Sequence, residues 1–176
     1  PDMRTERTET RPHGRRAKMH FLCGCSLLAL AAAAALPAPL EAREIGVTAA
    51  VRPDVRGTPP DQEPRILSVG VDLFANERVI TSGRGQTHLL FIDGSTLSVG
   101  PNAELVLDRF VYDPDSKNGE LVVSASNGVM RFVGGRISKT RPVLFKTPTA
   151  VIGVRGGVAM MQMGDGQEQP SSVTML

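Results

Sequence analysis

The chain has 176 residues, no Trp, 4% aromatic residues, 18 Gly and 13 Pro. That length allows one domain with tails, and the composition suits short strands joined by turns better than a helical bundle. The net charge of +2 resides entirely in residues 1–42, where Arg4, Arg7, Arg11, Arg15, Arg16 and Lys18 stand against Asp2, Glu6, Glu9 and Glu41. The remainder is neutral, which argues against a nucleic-acid binder, whose excess positive charge belongs in its folded part.

Residues 1–42 read as a basic leader and signal peptide. Arg15, Arg16 and Lys18 precede an apolar run from Phe21 to Leu36, which Pro37 and Pro39 break before Ala42. A basic segment, an apolar segment and a small terminal residue are the parts of a secretory signal. Cleavage is expected near Ala42, leaving a periplasmic or secreted chain. The alternative is that the run persists as an inner-membrane anchor, because its length approaches the roughly 17 apolar residues of the shortest spans. Cys23 and Cys25 are the only cysteines and lie inside this segment. A cleaved chain would therefore have no disulfide, thiol nucleophile or thiolate metal site.

Residues 43–64 read as a flexible linker, with Pro53, Gly57, Pro59, Pro60 and Pro64 and no sustained apolar period. Residues 65–163 read as one compact all-β domain of about ten short strands, either a sandwich or an irregular solenoid-like arrangement. The strands are expected near 66–74, 77–81, 86–92, 95–99, 104–112, 120–124, 128–132, 143–146, 149–154 and 157–162. Gly, Pro, Asn and Asp clusters such as Asp93-Gly94, Pro101-Asn102, Asp113-Pro114 and Asn127-Gly128 separate them. Residues 164–176 are polar and read as a mobile tail.

Few residues in the domain invite a chemical reading. His88 is its single histidine, in "QTHLLFI". No second histidine joins it as a ligand, so it reads as a strand residue, hydrogen-bonded or partly exposed. Asp108, Asp113 and Asp115 are close in sequence, but "DPDSKNGE" lacks the twelve-residue calcium-loop spacing and reads as a hairpin loop. Ser95, Ser98, Ser124 and Ser126 lack a nucleophile-elbow context. Arg131, Arg136, Lys139, Arg141 and Lys146 form a mildly basic stretch that reads as a solvated face. No catalytic residue, cofactor or metal site is expected, so the chain reads as a non-enzyme. Near its end, Met160, Met161 and Met163 lie in the closing strands, "TAVIGVRGGVAMMQM", one of which is expected to be a sheet edge. There they could offer an adaptable surface to a partner, or fill the core instead.

Four stretches carry a resemblance. "DGS" at Asp93–Ser95, "GPNAEL" at Gly100–Leu105, "GVMRF" at Gly128–Phe132 and "TPTAVIGVRGG" at Thr147–Gly157 occur in the order found in the FecR-type domain family, across about Val69 to Val158. The resemblance implies an all-β extracytoplasmic domain with no catalytic residues to carry over. Some members regulate alternative sigma factors in iron-uptake signalling from the membrane, with a cytoplasmic region ahead of the span. Only about 20 residues precede the apolar run here, too few for a folded domain of that kind. The expected function is therefore an exported, non-catalytic binding or scaffold module that engages a protein or other cell-envelope partner. A membrane-anchored periplasmic sensor-regulator is the alternative.

Overall fold

The computed structural model describes residues 43–164 and 171–176. The expected leader and its cysteines lie outside the described residues, as does the tail segment 165–170. The described elements are, in chain order, β1 (Glu44–Arg52), β2 (Val55–Thr58), β3 (Arg65–Ile66), β4 (Asp72–Phe74), β5 (Arg78–Thr81), β6 (Gln86–Phe91), β7 (Thr96–Val99), β8 (Glu104–Tyr112), β9 (Gly119–Val133), α1 (Arg136–Thr140), β10 (Val143–Lys146), β11 (Val151–Val154), β12 (Val158–Met163) and β13 (Ser172–Met175). The fold is all-β, as the composition predicts.

Alternation makes the strands. β6 alternates exposed and buried along its whole length, placing Thr87, Leu89 and Phe91 inward. β8 likewise turns Leu105, Leu107, Phe110 and Tyr112 inward, with a register irregularity between Val106 and Arg109. One layer runs β4-β1-β6-β7-β9-β12-β13 and the other β3-β2-β5-β8-β9-β10-β11. Every pairing is antiparallel except β9 with β10. β9 belongs to both layers. Its first half pairs with β8 and β10, and its second half with β7 and β12. The inner faces meet in one core, where Phe91 stacks on Phe110 at 5.8 Å and Phe132 meets Phe145 edge-on at 5.2 Å.

Several expectations need correction. Residues 43–64 are not a linker, because β1 and β2 pair fully within the two layers. β1 is bulged at Ile45 and again at Ala49. Each bulge adds a residue, so the inward positions are Ile45, Thr48 and Val51 at a spacing of three. A search for period two misses such a strand. The expected single strand 66–74 is two short strands, with Leu67 buried between them. Asn127-Gly128 is not a hairpin turn: β9 runs through it. Gly128 has φ +104°, and a Cβ there would stand 2.3 Å from the Ala103 Cβ. The glycine is thus a corner at which one strand changes layers, for which a side chain leaves no room. α1 is a single five-residue helix, too short to show a helical period. The polar tail contains β13, paired along its length with β12. β12 is interior, flanked by β9 and β13. Met161 and Met163 fill the core, while Met160 faces out.

The β3–β4 margin is closed by a buried ion pair. Glu77 is fully buried and accepts from Arg65 Nη2 at 3.1 and 3.2 Å. It also accepts from the Phe74 backbone N–H at 2.9 Å. The Arg65 guanidinium lies over the Phe74 ring at 5.1 Å. Removing the carboxylate would take an acceptor from the Phe74 N–H and leave Arg65 Nη2 on the Asp72 carbonyl alone. Glu77→Ala is expected to destabilise the domain by about 3 kcal/mol, read as a lowered urea midpoint with an unchanged slope. A variant as stable as the parent would show that water replaces these bonds without cost.

Candidate functional site

The sequence motifs come together in a polar clamp. The β6–β7 hairpin turn contains Asp93-Gly94-Ser95, and Gly94 has φ +81°, the conformation expected of an Asp-Gly turn. Asp93 and Ser95 are both fully buried. Asp93 Oδ1 accepts from the Ser95 N–H at 2.9 Å, and Oδ2 accepts from the Ser95 hydroxyl at 2.7 Å and the Ile137 N–H at 3.1 Å. The Asp93 carbonyl accepts from the Arg136 N–H. Ser95 Oγ accepts from the Gly135 N–H at 2.9 Å. Gly135 approaches so closely that a Cβ would lie 2.3 Å from the Ser95 nitrogen. The first N–H groups of α1 have no local side-chain cap; the distant Asp93 supplies it. From α1 the network continues, because the Ser138 carbonyl accepts from the Gly156 N–H and the Gly157 carbonyl from the Gly134 N–H. "DGS", "GGRIS" and "GVRGG" are thus three parts of one joint, whose chemistry is structural.

The concave surface lies elsewhere, on the outer face of the layer containing β8. Val106 and Ser124 face outward from neighbouring strands, with Lys146 beside Ser124 on β10. With Glu104, Ser126 and Pro148 they line a groove of about 300 Å³. A second hollow of about 380 Å³ holds Asn76, Asp108, Arg109 and Glu120, and Lys146 borders both. Asp108 accepts from the Ser124 hydroxyl at 2.5 Å and lies 3.9 Å from Lys146 Nζ. Arg78–Glu104 at 2.6 Å and Arg109–Glu120 at 3.2 Å complete a set of paired charges on this face. Such a surface combines hydrogen-bonding groups with charges that are already neutralised.

The remaining singled-out residues are dispersed. His88 is exposed on β6, and its Nδ1 lies 2.8 Å from Ser98 Oγ on β7, a cross-strand pair. Asp113 and Asp115 lie in the β8–β9 loop. Asp113 accepts from the Ser116 hydroxyl and the Asp115 N–H, and these bonds, the hydroxyl first, hold its carboxyl below the ordinary aspartate value. Arg131, Arg136, Lys139 and Arg141 are exposed, and Lys146 belongs to the groove. Among the described residues, no group of three or more His, Cys, Asp or Glu is placed to hold a metal. Sequence reasoning passed over the groove because its residues are polar positions on alternating strands, indistinguishable in sequence from any solvated face.

Residues 77–176 match the FecR protein family, and the chain belongs to that family. The match begins at the buried Glu77 and spans the clamp, the strand shared by both layers and the groove. No curated protein and no solved structure matches the chain.

Two measurements check this assignment of roles. Asn at position 93 would present an amide donor to one of three donors, so Asp93→Asn is expected to cost on the order of 2 kcal/mol. His88→Gln, on the exposed face, should stay within about 0.5 kcal/mol of the parent. The reverse order in thermal unfolding would mean that the clamp is not the joint described. The Asp113 carboxyl, followed by NMR, should titrate below a free aspartate. A group depressed in the folded state stabilises it above the unfolded value, and that contribution fades as pH falls through the folded one. The loop amides of Asp115 and Ser116 should therefore shift only at acid pH. A carboxyl titrating at the ordinary value would contradict the two bonds.

Proposed function

We propose that the chain is an exported, non-catalytic binding module of the cell envelope, which presents the groove between β8 and β10 to a protein or glycan partner. The observation that carries this reading is the groove itself, an open concavity bordered by Glu104, Ser124, Ser126 and Lys146 with their charges already paired. The family supports the regulatory or binding character over a catalytic one. The basic leader followed by an apolar run supports export. No helix among the described residues is long and apolar enough to cross a membrane. In the alternative reading, a sensor-regulator, the leader's own apolar run persists as an inner-membrane anchor.

Expression in a Gram-negative host separates the two readings. Export with cleavage predicts a periplasmic chain whose N-terminus is Arg43 or a close neighbour. A full-length chain in the membrane fraction favours the anchored sensor-regulator. Ser126→Trp, which places an indole in the groove, is expected to weaken retention on immobilised sacculi and on envelope proteins while the β-sheet circular dichroism persists. Retention equal to the parent on both would remove the groove from the proposal.

A further inference from the structure

Among the described residues β13 pairs with β12 alone, which makes it a sheet edge, and its geometry differs from that of the other three edges. The Leu176 N–H donates to the Val158 carbonyl at 2.9 Å, and Thr174 and Ser172 stand opposite Met160 and Gln162. Hydrogen-bonded pairs alternate along an antiparallel ladder. Ser172 and Thr174 therefore point their backbone groups at β12, while Val173 and Met175 point theirs at the open side. The side chains of Val173 and Met175 lie on the core-facing side, opposite Met161 and Ala159. Those two neighbours are buried, yet Val173 and Met175 are 38% and 54% exposed. The strand thus offers unpaired backbone groups beside uncovered apolar side chains.

Natural edges are blunted by shortness, charge, proline or bulges. β3 has two residues and includes Arg65, and β4 has three and includes Asp72. β11 contains Gly153 and is bounded by Pro148 and Arg155. β13 follows Pro170, but it has neither a glycine nor a bulge, and Ser171–Leu176 contains no charged residue. An uncharged strand gives no electrostatic preference for a charged partner and no repulsion between identical copies. It is also self-complementary. With Thr174 facing its own counterpart across a two-fold axis, Val173 of each copy stands opposite Met175 of the other. Both outward-pointing residues then exchange N–H···O=C bonds, four in all, and each Val173 covers the Met175 opposite it. A two-fold interface requires this kind of match of one patch with itself.

We propose that β13 is a homodimerisation edge, pairing antiparallel with β13 of a second copy in the register that centres on Thr174. The groove lies on the other layer, so this proposal stands independently of the partner-binding reading. In that register the Thr174 pair is not hydrogen-bonded, with Cα atoms about 4.5 Å apart, within the range a disulfide spans. The two Val173 residues are offset along the strands and fall outside it.

The test uses the full chain carrying Cys23→Ser and Cys25→Ser, so that an introduced thiol is the only one. Thr174→Cys should form a disulfide-linked dimer under mild oxidation, and Val173→Cys should not. In sedimentation equilibrium the parent should be a dimer, and Val173→Lys combined with Met175→Lys a monomer with the same β-sheet spectrum. A parent that stays monomeric at all concentrations overturns the proposal and leaves the edge to another strand. Equal cross-linking at both positions, or a dimer that survives the double lysine variant, overturns the register and the interface.

Discussion

The corner at Gly128 is the constraint on which the rest of the fold depends. One 15-residue strand, β9, gives its first half to one layer and its second half to the other. A strand can do this only where its backbone bends sharply and a neighbour closes against the bend. Here φ is +104° and Ala103 occupies the space a side chain would need. The bend sets the two inner faces against each other, so Phe132 from one half of β9 packs on Phe145, which pairs alongside the other half. The β1–β2 passage is one of several links that also cross between layers, here from the neighbour of β6 to the neighbour of β5. The apolar core fills the space between the layers.

The described chain contains no cysteine, so its loops are held by buried polar groups instead. Asp93 and Ser95 tie a hairpin turn to α1. Glu77 ties the β4–β5 turn to β3. Thr81 Oγ1 accepts from the Ala103 N–H at 2.8 Å and donates to the Gly100 carbonyl at 2.7 Å, which fixes the β7–β8 turn. In each case a buried side chain answers more than one polar group of the loop and its neighbours. Buried polar groups are costly unless satisfied, so each clamp selects one loop conformation against its alternatives. The family's motifs fall largely on these clamps and on the Gly128 corner.

Interaction is left to surfaces that the clamps hold rigid. The groove on the β8 layer and the open edge of β13 lie on different layers and use different physics. The first presents fixed dipoles and paired charges in a concavity, and the second presents a backbone ladder. A module with both can associate with itself and still present a face to another molecule.

The all-β class was legible in the sequence because β6, β7 and β10 keep strict alternation between clear turn signals, and their bounds, like those of β8, fall within a residue or so of those expected. The Asp-Gly turn was equally legible, since its conformation depends on two adjacent residues. β1 was not, because two bulges break its period, and α1 was not, because a five-residue helix leaves no periodic trace. β9 read as two strands and a turn because Asn127-Gly128 carries the same local signal whether a chain reverses or bends. Likewise "DGS" was visible as a turn but not as the cap of a helix more than 40 residues away. The sequence by itself determined which residues face inward on regular strands, because side-chain alternation is a local property of the backbone. Only the tertiary structure decided where β9 changes layers, which methionines are buried, what the motifs hold together and which edge is left open. Those outcomes depend on contacts between residues far apart in the chain, and no local pattern encodes them.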